Sequence, residues 1–387
     1  MNGLPASGLE QLVPAHPLFQ GVLAAAVGDG TPLWSGDTLL RSFLIGWLFW
    51  LGISLGSQAL VWLHELTGGA WGRAIRADVE AAGQTLPLLL LGLIPILLGL
   101  PVLYAWARPE AMAHDPILAR KALWLNPTGF IVRSLFYGIS WIVMSAWIRA
   151  VRRRAQREPT EENERIVRAR SAQGLLLYGL TMTFAAIDWG MSLEPHWYSG
   201  IYGVIFIIGQ ALAGLAFAVL MGTFGPSRPP VDRPLWPKRD LGNLLLAFTM
   251  LWTYVSFSQF LIIWFGDLPE EVVYYTRRNA LGWEWLALLL VSLHFAVPFL
   301  LLLSGDVKSR ARLLGMIAFG LLVMRWFDVV WHVEPAFGPS RPEYLLLHAA
   351  IALAIGVIWW PVFLWRRSAV KRIWPVEPMA AVEVHHG

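Results

Sequence analysis

Nine stretches of this chain, at residues 41–64, 85–107, 129–150, 174–193, 200–224, 241–266, 281–304, 313–333 and 344–365, are about twenty residues or longer and almost free of charge. A helix rises about 1.5 Å per residue, so about twenty apolar residues cross a hydrocarbon layer roughly 30 Å thick. Within that layer a helix satisfies its own backbone hydrogen bonds. The chain is therefore expected to be an all-α integral membrane protein. The composition agrees, because 14% of its 387 residues are charged and 56% hydrophobic, whereas a soluble domain carries about 25% charged residues. The 22 tryptophans fit a membrane–water boundary, which indole rings favour. About nine spans are expected, or ten if residues 13–27 once formed another. That apolar stretch is broken by Pro14, His16 and Pro17, and it lacks the charged start of a cleavable signal. Residues 1–40 read as an extracytoplasmic or interfacial segment, a re-entrant turn or a degenerate helix.

The basic residues orient the spans. The odd-numbered loops and the C-terminal tail hold 21 Lys and Arg and the even-numbered loops 6; Arg41, Arg133 and Arg325 lie in or beside spans. Cytoplasmic loops carry the excess of cations, so the C-terminus and the run Arg152-Arg153-Arg154 are expected on the cytoplasmic side. That basic loop, with Glu158, Glu161, Glu162 and Glu164 among its arginines, reads as a topology anchor and not as a nucleic-acid surface.

The chain has no cysteine, which excludes disulfides, thiolate-held iron–sulfur clusters and covalently attached c-type haem. A redox centre would have to be a quinone or a His-ligated haem, or belong to a partner. His294 and His348 fall at different depths of their spans, which argues against a haem held between them. No phosphate loop or zinc-protease motif occurs. Gly52-Ile53-Ser54-Leu55-Gly56 matches a nucleophile elbow, but in mid-span Gly52 and Gly56 read as a helix-packing face.

An internal echo organises the rest. Asp188, five residues and Glu194-Pro195 close the fourth span; Asp328, five residues and Glu334-Pro335 close the eighth, 140 residues later. Four intervening helices preserve direction, so the pattern implies a parallel repeat of two four-helix bundles, residues 41–199 and 200–340, with a last helix and tail at 341–387. Repeat-built membrane proteins place sites at equivalent positions. An ionisable group inside a bilayer costs at least about 2.5–3.5 kcal/mol, so each needs a reason. Arg325, Asp328 and His332 share a helix face; so do Tyr178, Thr181, Asp188 and Ser192; Thr249, Thr253, Ser256 and Gln259 form a third stripe. Asp188 has no basic residue within a turn of its own helix. With Glu194, His196, Glu334, His294, His64 and Glu65, the acid-bearing faces supply the candidates for a proton path or a quinone pocket. The same residues could equally be interhelical ties.

Four segments resemble the polysulfide-reductase (NrfD-type) membrane subunits: LHELTGGAWG at 63–72, RKALWLN at 120–126, DWGMSLEPHW at 188–197 and WTYVSFSQF at 252–260. Within that family the chain is most similar to the second such subunit of alternative complex III, a quinol-oxidising respiratory and photosynthetic assembly. The resemblance implies two four-helix bundles in a prokaryotic inner membrane and a quinone or menaquinone as redox partner. It also implies an iron–sulfur subunit, a multihaem c-type cytochrome and a second NrfD-type subunit as neighbours, with haem and iron–sulfur centres on them. The chain departs from the family at its N-terminus, where a first helix is usual.

Three functions are compatible with these residues: a membrane subunit of a quinol:electron-acceptor oxidoreductase, a scaffold subunit without chemistry, and a secondary transporter. A transporter calls for broken helices at corresponding repeat positions. Pro95 and Pro298 interrupt the second and seventh spans, which do not correspond. The orientation is open to a direct check. A reporter fused after Gly387 is expected to be active on the cytoplasmic side, and periplasmic activity would reverse every depth assigned above.

Overall fold

Polar caps set where the helices begin. Ser35 Oγ accepts from the Thr38 N–H at 3.2 Å and opens α1 (Gly36–Thr67). Asn126 Oδ1 accepts from Gly129 N–H at 2.7 Å, with Pro127 at the first position, and opens α3 (Pro127–Arg157). Thr160 caps α4 (Glu161–Trp189), whose first turn carries Glu161, Glu162 and Glu164. The remaining spans are α2 (Ala70–Leu98), α5 (Tyr202–Phe224), α6 (Lys238–Gly266), α7 (Glu284–Leu303), α8 (Ala311–Val333) and α9 (Pro342–Ile373). The structure, a computed structural model, describes residues 35–225 and 237–373, so the stretch at 13–27 and the question of a tenth span lie outside the described residues. Among the described residues nine helices are long and apolar enough to cross a membrane, and there is no strand.

Two boundaries differ from expectation. α2 begins at Ala70, not at 85, because Arg76, Asp78 and Glu80 make its first half look too polar for a span. These charges are buried in pairs: Arg76 with Glu80 at 3.0 Å and Glu65 at 2.7 Å, and Asp78 with Arg367 at 2.5 Å. The basic loop is also no loop. α3 and α4 run on as a helical hairpin joined only through 158–160.

α1 and α5 form the centre. In their most apolar windows 89% and 83% of residues are buried, against 28% for α6, α7 and α9, whose outer faces meet lipid. α1 packs on α2 and α4, and α3 on α4 and α2; α5 packs on α6 and α8, and α7 lies against both α6 and α8. α9 docks on the first bundle along α1 and α2. The central contact is backbone to backbone. A Cβ on Gly56 would overlap the Gln210 carbonyl, and one on Gly214 would lie 2.5 Å from Ser57 N. Gly56 of the apparent nucleophile elbow is thus a packing residue, where only hydrogen lets the two helices meet.

Gly56→Leu should therefore separate α1 from α5, at the upper end of the roughly 1–3 kcal/mol usual for overpacking. Thermal unfolding in detergent should show a clear fall in Tm, with Gly179→Ala, where nothing lies within 4 Å, as the silent control. An unchanged Tm for Gly56→Leu would mean that this contact does not hold the fold.

Candidate functional site

The two Asp–Glu-Pro echoes end up in different environments. Asp188, fully buried on α4, receives four hydrogen bonds. Arg133 of α3 donates from Nε to Oδ2 and from Nη2 to Oδ1, both at 2.8 Å. Trp124 Nε1 donates to Oδ1 at 3.0 Å, and the Tyr137 hydroxyl to Oδ2 at 2.9 Å. A carboxylate has about four acceptor sites, so this one is saturated. The Arg133 guanidinium also lies 4.1 Å over the Trp124 ring. The expectation that Asp188 lacks a basic neighbour holds only along its own helix. Its partner comes from α3, and Arg133 was visible as one of three cations in or beside spans. Nearby, Trp141 Nε1 donates to Thr181 Oγ1 at 2.7 Å, Trp189 Nε1 to Ser134 Oγ at 2.9 Å, and Ser192 Oγ to the Asp188 carbonyl at 2.5 Å.

Asp328 on α8 is held more loosely. Arg325, one turn earlier, pairs with its Oδ2, and the guanidinium rests on α5 where Gly209 leaves space. His332 Nε2 lies 3.7 Å from Asp328 Oδ1, while its Nδ1 is 3.4 Å from the Tyr274 hydroxyl. Tyr274 belongs to the short helix Pro269–Ala280 between α6 and α7, is stacked on Trp197 at 4.0 Å, and lies under the Arg278 guanidinium at 3.3 Å. Arg278, only 1% exposed, donates to both Glu194 carboxylate oxygens at 2.8 and 3.3 Å. Burial, the largest single effect, lowers the affinity of this guanidinium for its proton, but Glu194, Tyr274 and Tyr202 together offset it and hold Arg278 above the ordinary value. Asp328, His332, Tyr274, Arg278 and Glu194 thus follow one another from within the membrane to its surface.

The other predicted residues fall into separate places. Glu334 lies between Arg41 of α1 at 3.9 Å and His348 of α9 at 3.4 Å, and His348 Nδ1 is 2.8 Å from Ser42 Oγ. His196 Nε2 meets Asp115 Oδ2 at 2.5 Å on the surface. Partial burial works against the Asp115 anion, yet bonds from His196 and the Leu118 and Ile117 N–H groups hold its carboxyl below the usual range. His64 and Glu65 sit at the opposite end of the bundle. His64 Nε2 lies 3.1 Å from the Gly69 carbonyl oxygen in the α1–α2 turn, and Glu65 pairs with Arg76 and Arg152.

His294 stands apart. α7 widens into a π-helix over Leu290–Ala296, because Pro298 offers no N–H for the His294 carbonyl four residues before it. The imidazole is wholly buried 4.1 Å from the Trp252 ring, with no hydrogen-bond partner at either nitrogen. Thr249 Oγ1 and Ser256 Oγ on α6 are likewise unpartnered, whereas the Trp252 indole N–H lies within reach of the Asp328 carboxylate. On α6, Trp252 is buried beside the polar stripe of Thr249, Thr253, Ser256 and Gln259, and the Thr253 hydroxyl bonds the Thr249 carbonyl at 2.9 Å. Gln259 does tie helices, accepting from Ser199 Oγ at 2.9 Å.

Neither a family model nor a curated protein matches this chain. Two of the four segments singled out in the sequence meet in space. Lys121 donates to the Pro195 carbonyl at 2.6 Å, and Trp124 to Asp188, joining residues 120–126 to 188–197. Sequence reasoning missed Arg133, Tyr137, Tyr274 and Arg278. The Arg277-Arg278 pair was the available signal, standing on a side otherwise poor in cations.

Asp188 is accordingly a structural tie. Asp188→Asn and Arg133→Gln should each cost about 3–5 kcal/mol, the usual penalty for breaking a buried ion pair, and the double variant should be little worse than either single. Thermal unfolding of the purified chain tests this. Wild-type stability of Asp188→Asn would contradict it.

Proposed function

We propose that this chain is a membrane subunit of a quinol-oxidising electron-transfer complex of the NrfD type, and that its second bundle carries protons to the extracytoplasmic face. The observation that carries this reading is the buried succession from Asp328 through His332 to the Tyr274 hydroxyl. The Arg278–Glu194 pair itself relays no proton and holds Tyr274 in place at the outer end of that succession. An imidazole with one nitrogen facing a carboxylate and the other a hydroxyl can take a proton on one side and release one on the other. His332 has that arrangement. Arg325 neutralises Asp328 at rest, so arrival of a proton at Asp328 is linked to loosening of the Arg325 bond. Gln210, next to Gly209 under that guanidinium, accepts from the Tyr178 hydroxyl at 2.7 Å and extends the polar line inward.

The wider assignment is supported by the four family-like segments and by the absence of cysteine, which leaves haem and iron–sulfur chemistry to partners. Those partners are an iron–sulfur subunit, a multihaem c-type cytochrome and a second NrfD-type subunit in a prokaryotic inner membrane. The reduced form of a quinone or menaquinone, the quinol, is the reductant and leaves as the quinone, and the C-terminus is cytoplasmic. The scaffold reading is favoured by one specific observation, the saturated Asp188. It fits the first bundle, which then holds the second in place.

The test uses the complex isolated from native membranes through this chain and reconstituted in vesicles. His332→Gln keeps hydrogen bonding but cannot relay a proton, so it should assemble normally and lower quinol-driven proton release at least about tenfold, the rate effect of roughly 1.4 kcal/mol. Asp328→Asn should act in the same direction. Full proton release by an assembled His332→Gln complex would overturn the proton-path reading.

A further inference from the structure

The end of the molecule opposite Asp328 carries more guanidinium than carboxylate. Five arginines, Arg76, Arg149, Arg152, Arg153 and Arg366, gather near three acids, Glu65, Glu80 and Glu164. The acids are already taken. Arg76 bonds Glu65 at 2.7 Å and Glu80 at 3.0 Å, and Arg152 bonds Glu65 and, at 2.7 Å, Glu164. Among the described residues, no carboxylate lies within 4.0 Å of Arg149, Arg153 or Arg366. Arg149 donates only to Ser145 Oγ, which in turn donates to Gln58 Oε1 at 2.5 Å. Arg366 Nε is buried without a partner.

Arg76, Arg149, Arg152 and Arg153 line one narrow, roughly water-sized crevice among α1, α2 and α3, with Gln58, Glu80 and Gln156. Arg153 is exposed and Arg149 and Arg366 are half-buried, so the guanidinia without a carboxylate reach the surface around its mouth. Arg366 of α9 lies within electrostatic reach of Arg149, as do Glu80 and Arg153. Their depth is marked independently. Trp147, two residues before Arg149, and Trp365, beside Arg366, are 43% and 59% exposed, each under a guanidinium: Arg170 at 4.6 Å and Arg366 at 4.3 Å. Indole rings with a cation above them belong at the headgroup level of a bilayer. Apolar side chains continue along the outer faces below, including Val143 on α3 and Leu353, Val357 and Ile358 on α9.

We propose that the guanidinium patch at the mouth of this crevice binds the phosphate headgroup of an anionic phospholipid, with Arg149, Arg153 and Arg366 as its ligands and the outer faces of α3 and α9 under its acyl chains. A phosphodiester supplies the negative charge and acceptor oxygens that these three guanidinia lack, in the geometry arginine favours. Basic pockets between membrane helices take such headgroups. The proposal is independent of the proton path and holds for either orientation of the chain.

The experiment measures thermal unfolding and native mass spectra of the full chain in a neutral detergent, titrated with phosphatidylglycerol, phosphatidylcholine or inorganic phosphate. Phosphatidylglycerol should raise Tm and appear as a retained adduct, and the other two should not. Arg149→Gln/Arg153→Gln/Arg366→Gln should weaken phosphatidylglycerol binding at least about tenfold. Arg366→Gln alone should weaken it at least about threefold, which keeps the question decidable if the triple variant folds poorly. Arg154→Gln/Arg157→Gln, equally basic positions outside the patch, should bind as wild type. Three results would each overturn the proposal: a full Tm shift from inorganic phosphate alone, an equal shift from phosphatidylcholine, or undiminished phosphatidylglycerol binding by Arg366→Gln.

Discussion

The meeting of α1 and α5 at Gly56 and Gly214 is the contact on which the rest of the structure depends. Helices in lipid gain little from burying apolar surface against one another, so close backbone approach and a few polar bonds decide who packs on whom. The approach places Gln210 in the middle of the molecule, where its side-chain carbonyl accepts from Tyr178 of α4. One residue away, Gly209 leaves room for the Arg325 guanidinium, and through Arg325 the position of Asp328 is set. The same pair of helices joins the bundles, since α4 and α8 both pack on α5 and on α1. The two acid-bearing helices therefore flank one central pair.

From similar sequence endings the two halves reach different electrostatic solutions. Asp188 takes its cation from a neighbouring helix and fills every acceptor site with donors from α3 and the segment before it, which rigidifies the first bundle. Asp328 takes its cation from its own helix and leaves its other oxygen to a histidine 3.7 Å away. The glutamates differ again: Glu194 reaches across to Arg278 of the second bundle, and Glu334 lies between α1 and α9. Each half thus closes on residues outside itself. The unpartnered polar atoms of the second bundle, His294 with Thr249 and Ser256, have no counterpart among the residues bonded to Asp188.

The spans were legible in the sequence because length and apolarity are local properties. The first half of α2 was not, since Arg76, Asp78 and Glu80 look like loop residues until Glu65 and Arg367 arrive from other helices to neutralise them. The same reason hid the Arg133–Asp188 pair: the two residues are 55 positions apart, and helix periodicity relates only neighbours on one helix. The Arg325–Asp328 pair, three residues apart, was readable. The α6 stripe was readable from its hydroxyls and amide, whereas the large ring of Trp252 packed against His294 on the same helix depends on a neighbour from α7. Pro298 was visible as an interruption. Its consequence, a wider turn around a buried histidine, depends on the backbone hydrogen bond it removes.

α9 shows how much a helix outside both bundles can matter. It touches the first bundle through a different interaction at each depth. His348 meets Ser42 at 2.8 Å near one end; Trp50 Nε1 donates to the Ala352 carbonyl at 2.7 Å; Trp359 Nε1 reaches Thr85 at 2.8 Å; Arg367 bonds Asp78 at 2.5 Å at the other end. Gly46 lets the helices close, since a Cβ there would lie 2.9 Å from the Ala352 Cα. A greasy contact alone would let α9 slide or rotate against α1, because lipid solvates an apolar face as well as a helix does. Polar bonds at four levels fix both register and rotation. That rotation points His348 at Glu334 on α8 and brings Arg366 within reach of Arg149 on α3. One helix therefore aligns the ionic groups at both ends of the molecule.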